Sequence, residues 1–424
     1  MKALRFFRLW PIIAFLTLAA SQMAEAAPAI TVSPPFGPPT TGITAQGSGF
    51  SACEAMDVYF DTSHLVLTVT SETGTFSCTL TAPRSAIPVV HWITAIGRKS
   101  KLAAQKPFTV RTNWSQFHYG PQHRGYNPYE NVLSPSTVAG LNEAWRHTMG
   151  PIQSSPAVAN GIVYVGSVDG KLYALDASTG AYLWSYFMAD WISSSPAVAN
   201  GVVYLGGILR RTLYALNAST GALKWSYETG GGIGSSPAAV NGVVYVGSGD
   251  NKLYALDAQT GALKWSYETG GPINSSPAVA NGIVYVGSDD GKLYALNASN
   301  GTKKWSYSTG GRIFSSPAVA NGIVYVGSFK MASYDRDSKL YALDARTGAF
   351  LWSATTAGFI SSPAVANGIV YVGSDDANLY AYSLDPGGVY RTIVRRPDPA
   401  ELIPDLSLQP QVGKRTIKSS EEGE

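Results

Sequence analysis

The sequence predicts an all-β protein with two folded domains, a small β-sandwich followed by a six-bladed β-propeller. The first observation is composition: 44 glycines and 25 prolines among 424 residues are too many for long helices, and they lack the Gly-x-y period of collagen. The second is the 45% hydrophobic and 14% charged content, which favours a packed core over a disordered chain. The third is a Ser-Ser-Pro unit that recurs six times from Ser154 onward, at intervals of 40 to 46 residues, as propeller blades do.

Residues 1–26 are predicted to be a signal peptide. A basic stretch ends at Arg8, an apolar stretch covers Leu9–Ala20, and Ala24-Glu25-Ala26 fits a cleavage site. A membrane anchor is the alternative, but Pro11 interrupts the apolar stretch, which is shorter than the roughly 20 residues of a span. We therefore expect an exported protein, periplasmic or extracellular, without a membrane span. The net charge of +3 is too small to indicate a nucleic-acid partner.

Residues 28–111 are predicted to form the sandwich, because short runs of alternating apolar and polar residues are separated there by Gly, Pro and Ser turns. The two cysteines of the sequence, Cys53 and Cys78, both fall in this domain. In an oxidising compartment such a pair indicates a disulfide before a redox site, and a zinc site would need more ligands. We therefore expect a Cys53–Cys78 disulfide.

Residues 145–395 are predicted to form the propeller, with 112–144 as an entry segment and 396–424 as a mostly disordered tail. Each repeat fits four antiparallel strands, and Asn160-Gly161 supplies the positive φ angles of a type I′ hairpin between the first two. The first strand holds small side chains and the fourth holds aromatic ones, which suits a blade that widens outward. We expect a strand around Trp145 to complete the last blade, so that no sheet edge is left open.

One tryptophan closes the fourth strand of most repeats, within the pattern Ala174-x-Asp176-x-x-Thr179-Gly180-x-x-x-Trp184. Asp can hydrogen-bond the turn backbone, Gly takes the left-handed conformation, and Trp covers the next blade with an N–H that needs an acceptor. The pattern resembles the tryptophan-docking motif of the pyrrolo-quinoline quinone (PQQ) repeat family. The docking residues that the resemblance implies are Trp145, Trp184, Trp225, Trp265, Trp305 and Trp352.

The flanking segments carry further resemblances. The sandwich, through Ile30-Thr31-Val32 and Gly47-Ser48-Gly49-Phe50, resembles an immunoglobulin-like IPT/TIG-type domain. The entry segment, through Asn113-Trp114 and Tyr126-Asn127-Pro128, resembles the start of quinoprotein dehydrogenases, which implies PQQ and calcium. Those propellers have eight blades and a vicinal cysteine pair that this sequence lacks, and none of their catalytic carboxylates can be placed on it. Non-catalytic members, such as the barrel-assembly propeller of the bacterial outer membrane, are similar in kind.

Differences between the repeats fall on one face of the predicted propeller. In an antiparallel blade, the connection from strand four to the next strand one shares a face with the connection from strand two to strand three. The opposite connections are nearly identical in the repeats. A constant scaffold with one varied face suggests ligand binding, and drift among tolerant loops is the alternative. The candidate binding residues are Gln153, Trp191, Arg210, Arg211, Asn274, Arg312, Phe314, Lys330, Tyr334, Asp335, Arg336 and Phe359.

No catalytic or metal site is predicted. All five histidines precede the first repeat, so the repeats alone cannot build a triad with a histidine base. His118 and His123 with Glu130 could bind a metal, but a solvated, structured entry segment is the favoured interpretation. Asp289-Asp290-Gly291 and Asp375-Asp376 lack the spacing of a calcium loop and fit polar turns.

These observations favour an exported, non-catalytic binding or scaffold protein of the cell envelope or exterior. We expect a monomer without a cofactor that holds a protein or glycan ligand on the varied face. The alternative is a PQQ-dependent quinoprotein dehydrogenase that oxidises alcohols or sugars. A third hypothesis is surface adhesion to a glycan or another protein through the sandwich domain.

Overall fold

The computed structural model describes residues 27–121, 123, 127–129, 141–330, 338–366 and 369–384. The predicted signal peptide and the predicted C-terminal tail lie outside the described residues. Every helix or strand assigned in the described ranges is a β-strand, which confirms the all-β prediction. Within the same ranges, no helix is long and apolar enough to cross a membrane.

The N-terminal strands form two sheets that share one core. The first sheet has the order β1 (Ala29–Ser33), β3 (Gly42–Ser48), β6 (Phe76–Thr81). The second has the order β2 (Phe36–Gly37), β8 (Ala103–Val110), β7 (Val90–Gly97), β4 (Ala55–Phe60), β5 (Ser63–Val69). Ile43, Met56 and Phe108 are fully buried between them, because alternate residues of each strand point inward. The immunoglobulin-like assignment of this unit stays a prediction.

Both cysteines are free, so the predicted disulfide is wrong. Cys53 is exposed in the turn before β4, where its backbone N–H donates to the Ser71 carbonyl at 3.1 Å. Cys78 lies in β6 opposite Ala45 and packs against the core of the domain. One thiol therefore lies on an exposed turn while the other is half-buried in a strand. Burial raises the pKa of the Cys78 thiol.

The repeats form consecutive antiparallel sheets, whose strands pair in chain order. The strands of the first three sheets are β9 (Ala157–Ala159), β10 (Ile162–Gly166), β11 (Lys171–Asp176), β12 (Tyr182–Phe187); β13 (Ala197–Ala199), β14 (Val202–Gly206), β15 (Thr212–Asn217), β16 (Leu223–Glu228); and β17 (Ala238–Val240), β18 (Val243–Gly247), β19 (Lys252–Asp257), β20 (Leu263–Glu268). Those of the next three are β21 (Ala278–Ala280), β22 (Ile283–Gly287), β23 (Lys292–Asn297), β24 (Lys303–Ser308); β25 (Ala318–Ala320), β26 (Ile323–Phe329), β27 (Ser338–Asp344), β28 (Phe350–Thr356); and β29 (Ala364–Ala366), β30 (Ile369–Gly373), β31 (Leu379–Tyr382).

The first strand of each sheet is the innermost one. These strands contact one another in sequence, β9 with β13, β13 with β17, β17 with β21, β21 with β25, and β25 with β29. Their Ala and Val side chains are small enough for the sheets to converge, as the sequence predicts. The hairpin to the second strand has φ of 55° at Asn160 and 78° at Gly161, which confirms the type I′ turn. The repeats therefore form a propeller, and the number of blades that close the ring stays a prediction.

The Ser-Ser pairs join each blade to itself and to the next blade. The first serine accepts a bond within its own sheet, as Ser154 Oγ does from the Gly166 N–H at 2.9 Å. The second accepts a bond from the preceding blade, as Ser195 Oγ does from the Ser155 N–H at 2.9 Å. The series continues at the same distance from Ser195 to Ser236, Ser236 to Ser276, Ser276 to Ser316 and Ser316 to Ser362. This serine ladder satisfies buried N–H groups that would otherwise lack partners between the blades.

Tryptophans of the fourth strands reach the turn of the following blade. Trp265 donates its indole N–H to the Ala298 carbonyl at 3.1 Å, and Tyr245 donates its hydroxyl to the same oxygen at 2.9 Å. The indole ring lies over Gly301, where a Cβ would come within 2.6 Å of the ring. The other indole bonds of this kind join Trp145 to Ala177, Trp184 to Ala218, Trp225 to Ala258 and Trp305 to Ala345.

The structure differs from the prediction that a strand around Trp145 completes the last blade. Residues 141–149 form no strand, and the last sheet has three strands in the described part of the chain. Trp145 still takes the position of a fourth-strand tryptophan, because its ring lies against Gly180 of the first blade. Its attachment therefore comes from the side chain rather than from strand pairing.

Candidate functional site

Two connections of each blade meet on the varied face, as the strand order requires. The clearest evidence is Asp190, which follows the fourth strand of the first blade. Its carboxylate accepts bonds from the N–H groups of Leu209 at 2.7 Å and Arg210 at 3.0 Å, which connect strands two and three of the second blade. The same two connections are joined in the reverse direction in the next blades, where the Gly230 N–H donates to Asp250 and the Gly270 N–H donates to Asp290.

Asp190 organises the varied face, and the sequence reasoning missed it. It is 5% exposed, and it also accepts a bond from the Trp191 N–H at 2.7 Å. In other blades an aspartate within the turn itself accepts the bond from the turn backbone. Asp250 accepts it from the Lys252 N–H, and Asp290 accepts it from the Lys292 N–H. The second blade has Arg210-Arg211 in this turn and no aspartate. This absence is visible in the sequence, and it indicates that an acceptor from a neighbouring loop must bind the turn backbone.

The first group of candidate residues forms an exposed apolar surface, which we call the aromatic patch. Trp191 donates its indole N–H to Gln153 Oε1 at 2.9 Å, so these two predicted residues lie together. Arg210 is held beside them by its bond to the Ala189 carbonyl at 3.1 Å. The patch consists of Ile152, Gln153, Phe187, Trp191, Leu209 and Arg210, and its apolar members are 45% to 68% exposed.

The second group lies on the fourth to sixth blades, and we call it the phenylalanine cluster. Phe359 packs its ring against Phe314 at 5.7 Å and against Phe329 at 5.5 Å between centroids. Arg312 pairs with Phe329 through the backbone, with the Phe329 N–H donating to the Arg312 carbonyl at 2.8 Å. The structure thus brings together three predicted residues of the varied face.

A cavity of about 400 Å³ adjoins this cluster, lined by Asp289, Asp290, Arg312, Phe329, Lys330 and neighbouring glycines. Burial raises the pKa of Asp289, while the side chain of Asn274 and the charge of Arg312 oppose that shift. Asn274 therefore lies beside Asp289, and Lys330 lines the same cavity. Arg211 is placed differently, because it forms an exposed ion pair with Glu228 at 3.2 Å. Tyr334, Asp335 and Arg336 lie outside the described residues.

The inner strands bind part of the entry segment, which the sequence reasoning also missed. We call residues 113–121 together with His123 the axial clamp, because they lie along the edges of the converging first strands. Hydrogen bonds of 2.6 to 3.0 Å attach the clamp to four consecutive blades, joining Trp114 to Val158, Ser115 to Val198, Gln116 to Ala239 and Pro121 to Val279. The clamp thereby supplies hydrogen-bond partners to the first strands at the inner edges of these four blades.

In the clamp, His123 is buried and His118 is half-buried, which corrects the expectation of a solvated entry segment. His123 is 1% exposed, and neither of its ring nitrogens has a hydrogen-bond partner. Phe117 stacks on His118 with 4.1 Å between centroids and meets His123 edge-on at 5.3 Å. Burial and the charge of His118 together lower the pKa of His123 to about 3, although the Pro317 backbone opposes the shift. Glu130, the third predicted ligand, lies outside the described residues.

Three overlapping stretches of the chain, residues 136–232, 210–328 and 308–408, match a family model described as outer membrane protein assembly factor BamB. Together they cover more than half of the chain. The chain belongs to the BamB family of PQQ-repeat propellers. In this member of the BamB family, the N-terminal sheets described above precede the repeat propeller in the chain.

Individual proteins are similar to parts of this chain. BamB from Moraxella catarrhalis is 22% identical, with a TM-score of 0.50 over 57% of this chain and 76% of that one. The quinohemoprotein alcohol dehydrogenase ADHIIG from Pseudomonas putida HK5 is 15% identical, with a TM-score of 0.48 over 71% of this chain and 64% of that one. Lupanine 17-hydroxylase [cytochrome c] from a Pseudomonas species is 34% identical over 77 residues, which are 18% of this chain and 11% of that enzyme. The matched segment thus spans about a tenth of that curated relative.

Proposed function

We propose that this chain is an exported, non-catalytic binding protein of the cell envelope, which holds a protein partner on the varied face of its propeller. The observation that carries the proposal is the aromatic patch. Its apolar side chains remain exposed around Trp191 and Arg210, two residue types that are enriched in binding hot spots. Exposed apolar side chains that gather on one face are typical of interaction sites.

Family membership supports the choice of a protein partner. The family description names the assembly of outer membrane proteins, and a role in such assembly would place the chain and its partner in the envelope. The patch is also preorganised, since Asp190 fixes three backbone N–H groups beneath it. A rigid patch loses little conformational entropy when it binds.

A PQQ site would have to bind a flat, anionic cofactor together with calcium. Arg312 and Lys330 are suitable cations, but Asp289 and Asp290 line the same cavity. Among the described residues, however, no group of three or more His, Cys, Asp or Glu side chains is placed to hold the calcium. We therefore derive no catalytic step through PQQ.

The binding proposal can be tested by photo-crosslinking in cells. A photoreactive amino acid at position 191 should capture a protein partner, whereas the same amino acid at position 219, in the exposed turn of the opposite face, should capture none. Equal capture at the two positions would contradict the proposed face. The varied loops would then be a product of drift.

The dehydrogenase alternative rests on the resemblance of the entry segment to quinoprotein dehydrogenases. Purified protein supplied with PQQ and calcium should give no dye reduction with alcohols or aldoses above a control without protein. Turnover above that control would favour the alternative over the binding proposal. The third hypothesis, adhesion through the sandwich, predicts crosslinks from the N-terminal sheets instead of position 191.

A further inference from the structure

The axial clamp combines strong attachment with local strain. Its hydrogen bonds reach four blades, and Gln116 alone both donates to the Ala239 carbonyl at 2.8 Å and accepts from the Ala239 N–H at 3.0 Å. Yet three of its non-glycine residues have left-handed backbone angles, with φ of 51° at His118, 80° at Tyr119 and 54° at His123. Such conformations persist only where the surroundings impose them. The clamp is therefore held in place by its contacts with the blades.

His123 is the clamp residue whose burial is least favourable. The side chain is buried at the propeller axis with both ring nitrogens unpaired, so the neutral ring already lacks a partner for its N–H. A protonated ring would bring a second unpaired N–H and a full charge to the same place. Burial of an unpaired charge is far more costly than burial of a neutral polar group.

The surroundings of His123 offer one compensation for that charge, the backbone of Pro317, which opposes the lowering of the His123 pKa. His118 packs edge-on at 6.3 Å and lowers the pKa of His123, while burial lowers the pKa of His118 itself. Phe117 is apolar, and Pro317 contributes only its backbone. The inner strands that pair with the clamp, β9, β13, β17 and β21, consist of Ala and Val. No carboxylate faces His123 among these described neighbours.

We propose that the axial clamp is an acid-released lock, in which protonation of His123 expels its side chain from the propeller axis and frees the inner edges of the four blades. The sign follows from linkage: the pKa of His123 is about 3 when clamped and near 6.5 when open. Stability of the clamped state is therefore complete above about pH 6.5 and is lost as the pH falls toward 3. Between pH 7 and pH 5 the open population rises about 25-fold.

Amide hydrogen exchange measures this opening directly in the full chain labelled with ¹⁵N-valine. The amides of Val158, Val198 and Val279 donate to the clamp, and Val244 and Val284 in the second strands serve as references. We expect the protection factors of the first three to fall about 25-fold between pH 7 and pH 5. The references should keep theirs.

Variants separate this proposal from general acid unfolding. His123→Phe keeps an aromatic ring but cannot be protonated, so it should abolish the pH dependence at the three valines. His64→Phe, in the N-terminal sheets, is the matched control and should leave it intact. Unchanged protection in the wild type, a parallel fall of the reference valines, or the same fall in His123→Phe would each overturn the proposal. The wild-type result decides the matter even where His123→Phe does not fold.

Discussion

Replacement of Trp265 tests how the blades are held together. The side chain is 9% exposed, donates to Ala298 and covers Gly301 of the next blade. Trp265→Ala removes this packing and should lower the free energy of unfolding by about 3 to 5 kcal/mol. For a domain of this size that corresponds to a fall in Tm of about 6 to 20 °C. Trp265→Phe should cost less, about 1 to 2 kcal/mol, because Tyr245 still donates to the Ala298 carbonyl.

A double-mutant cycle makes the test specific to the contact between Trp265 and Gly301. Gly301 has φ of 72°, and a Cβ there would come within 2.6 Å of the indole. Gly301→Ala should therefore destabilise the wild type through both backbone strain and the clash, but Trp265→Ala should relieve the clash. Chemical denaturation of the four proteins should give a coupling energy of at least about 1 kcal/mol. Additive effects would refute the stacking of each tryptophan on the next blade.

Three further predictions follow from other contacts. Ser276→Ala should cost about 1 to 3 kcal/mol in chemical denaturation, because it leaves the buried Ser236 N–H without its acceptor; Ser219→Ala, in an exposed turn, should have no such effect. Gln116→Ala should cost a similar 1 to 3 kcal/mol, since both polar groups of Ala239 lose their partner, and an unchanged Tm would refute the role of the clamp. A thiol reagent should label two free cysteines in the unfolded protein, with Cys53 reacting first in the native state because partial burial raises the pKa of the Cys78 thiol; a single slow phase would contradict this.

The sequence was sufficient for the propeller because its determinants are local and repeated. Asn160-Gly161 specifies a hairpin by its own backbone preferences, and small first strands allow sheets to converge. The regular spacing of the Ser-Ser pairs reveals the repeat in the sequence. The hydrogen bonds that these serines form between blades are apparent only in the structure. The varied face was predictable for the same reason, since strand order alone decides which connections share a side.

Other features depended on contacts that no local pattern reveals. Gln116 binds Ala239 from 123 positions away, so the axial clamp had no signature beyond an unusual entry segment. Asp190 carries no local sequence signature, because its partners Leu209 and Arg210 lie in the next blade. The disulfide was predicted from cysteine count and compartment, but pairing requires close and correctly directed side chains, and Cys53 and Cys78 lie in different surroundings.

The central claim is that the varied face holds the partner, and a hydrogen-exchange footprint of the complex isolated through position 191 tests it most directly. The binding proposal predicts protection at residues 152–153, 187–191 and 208–211, on the connections that form the aromatic patch. The turns of the opposite face, residues 177–180 and 218–221, should exchange as they do in the free protein. Protection confined to those opposite turns would contradict the proposal.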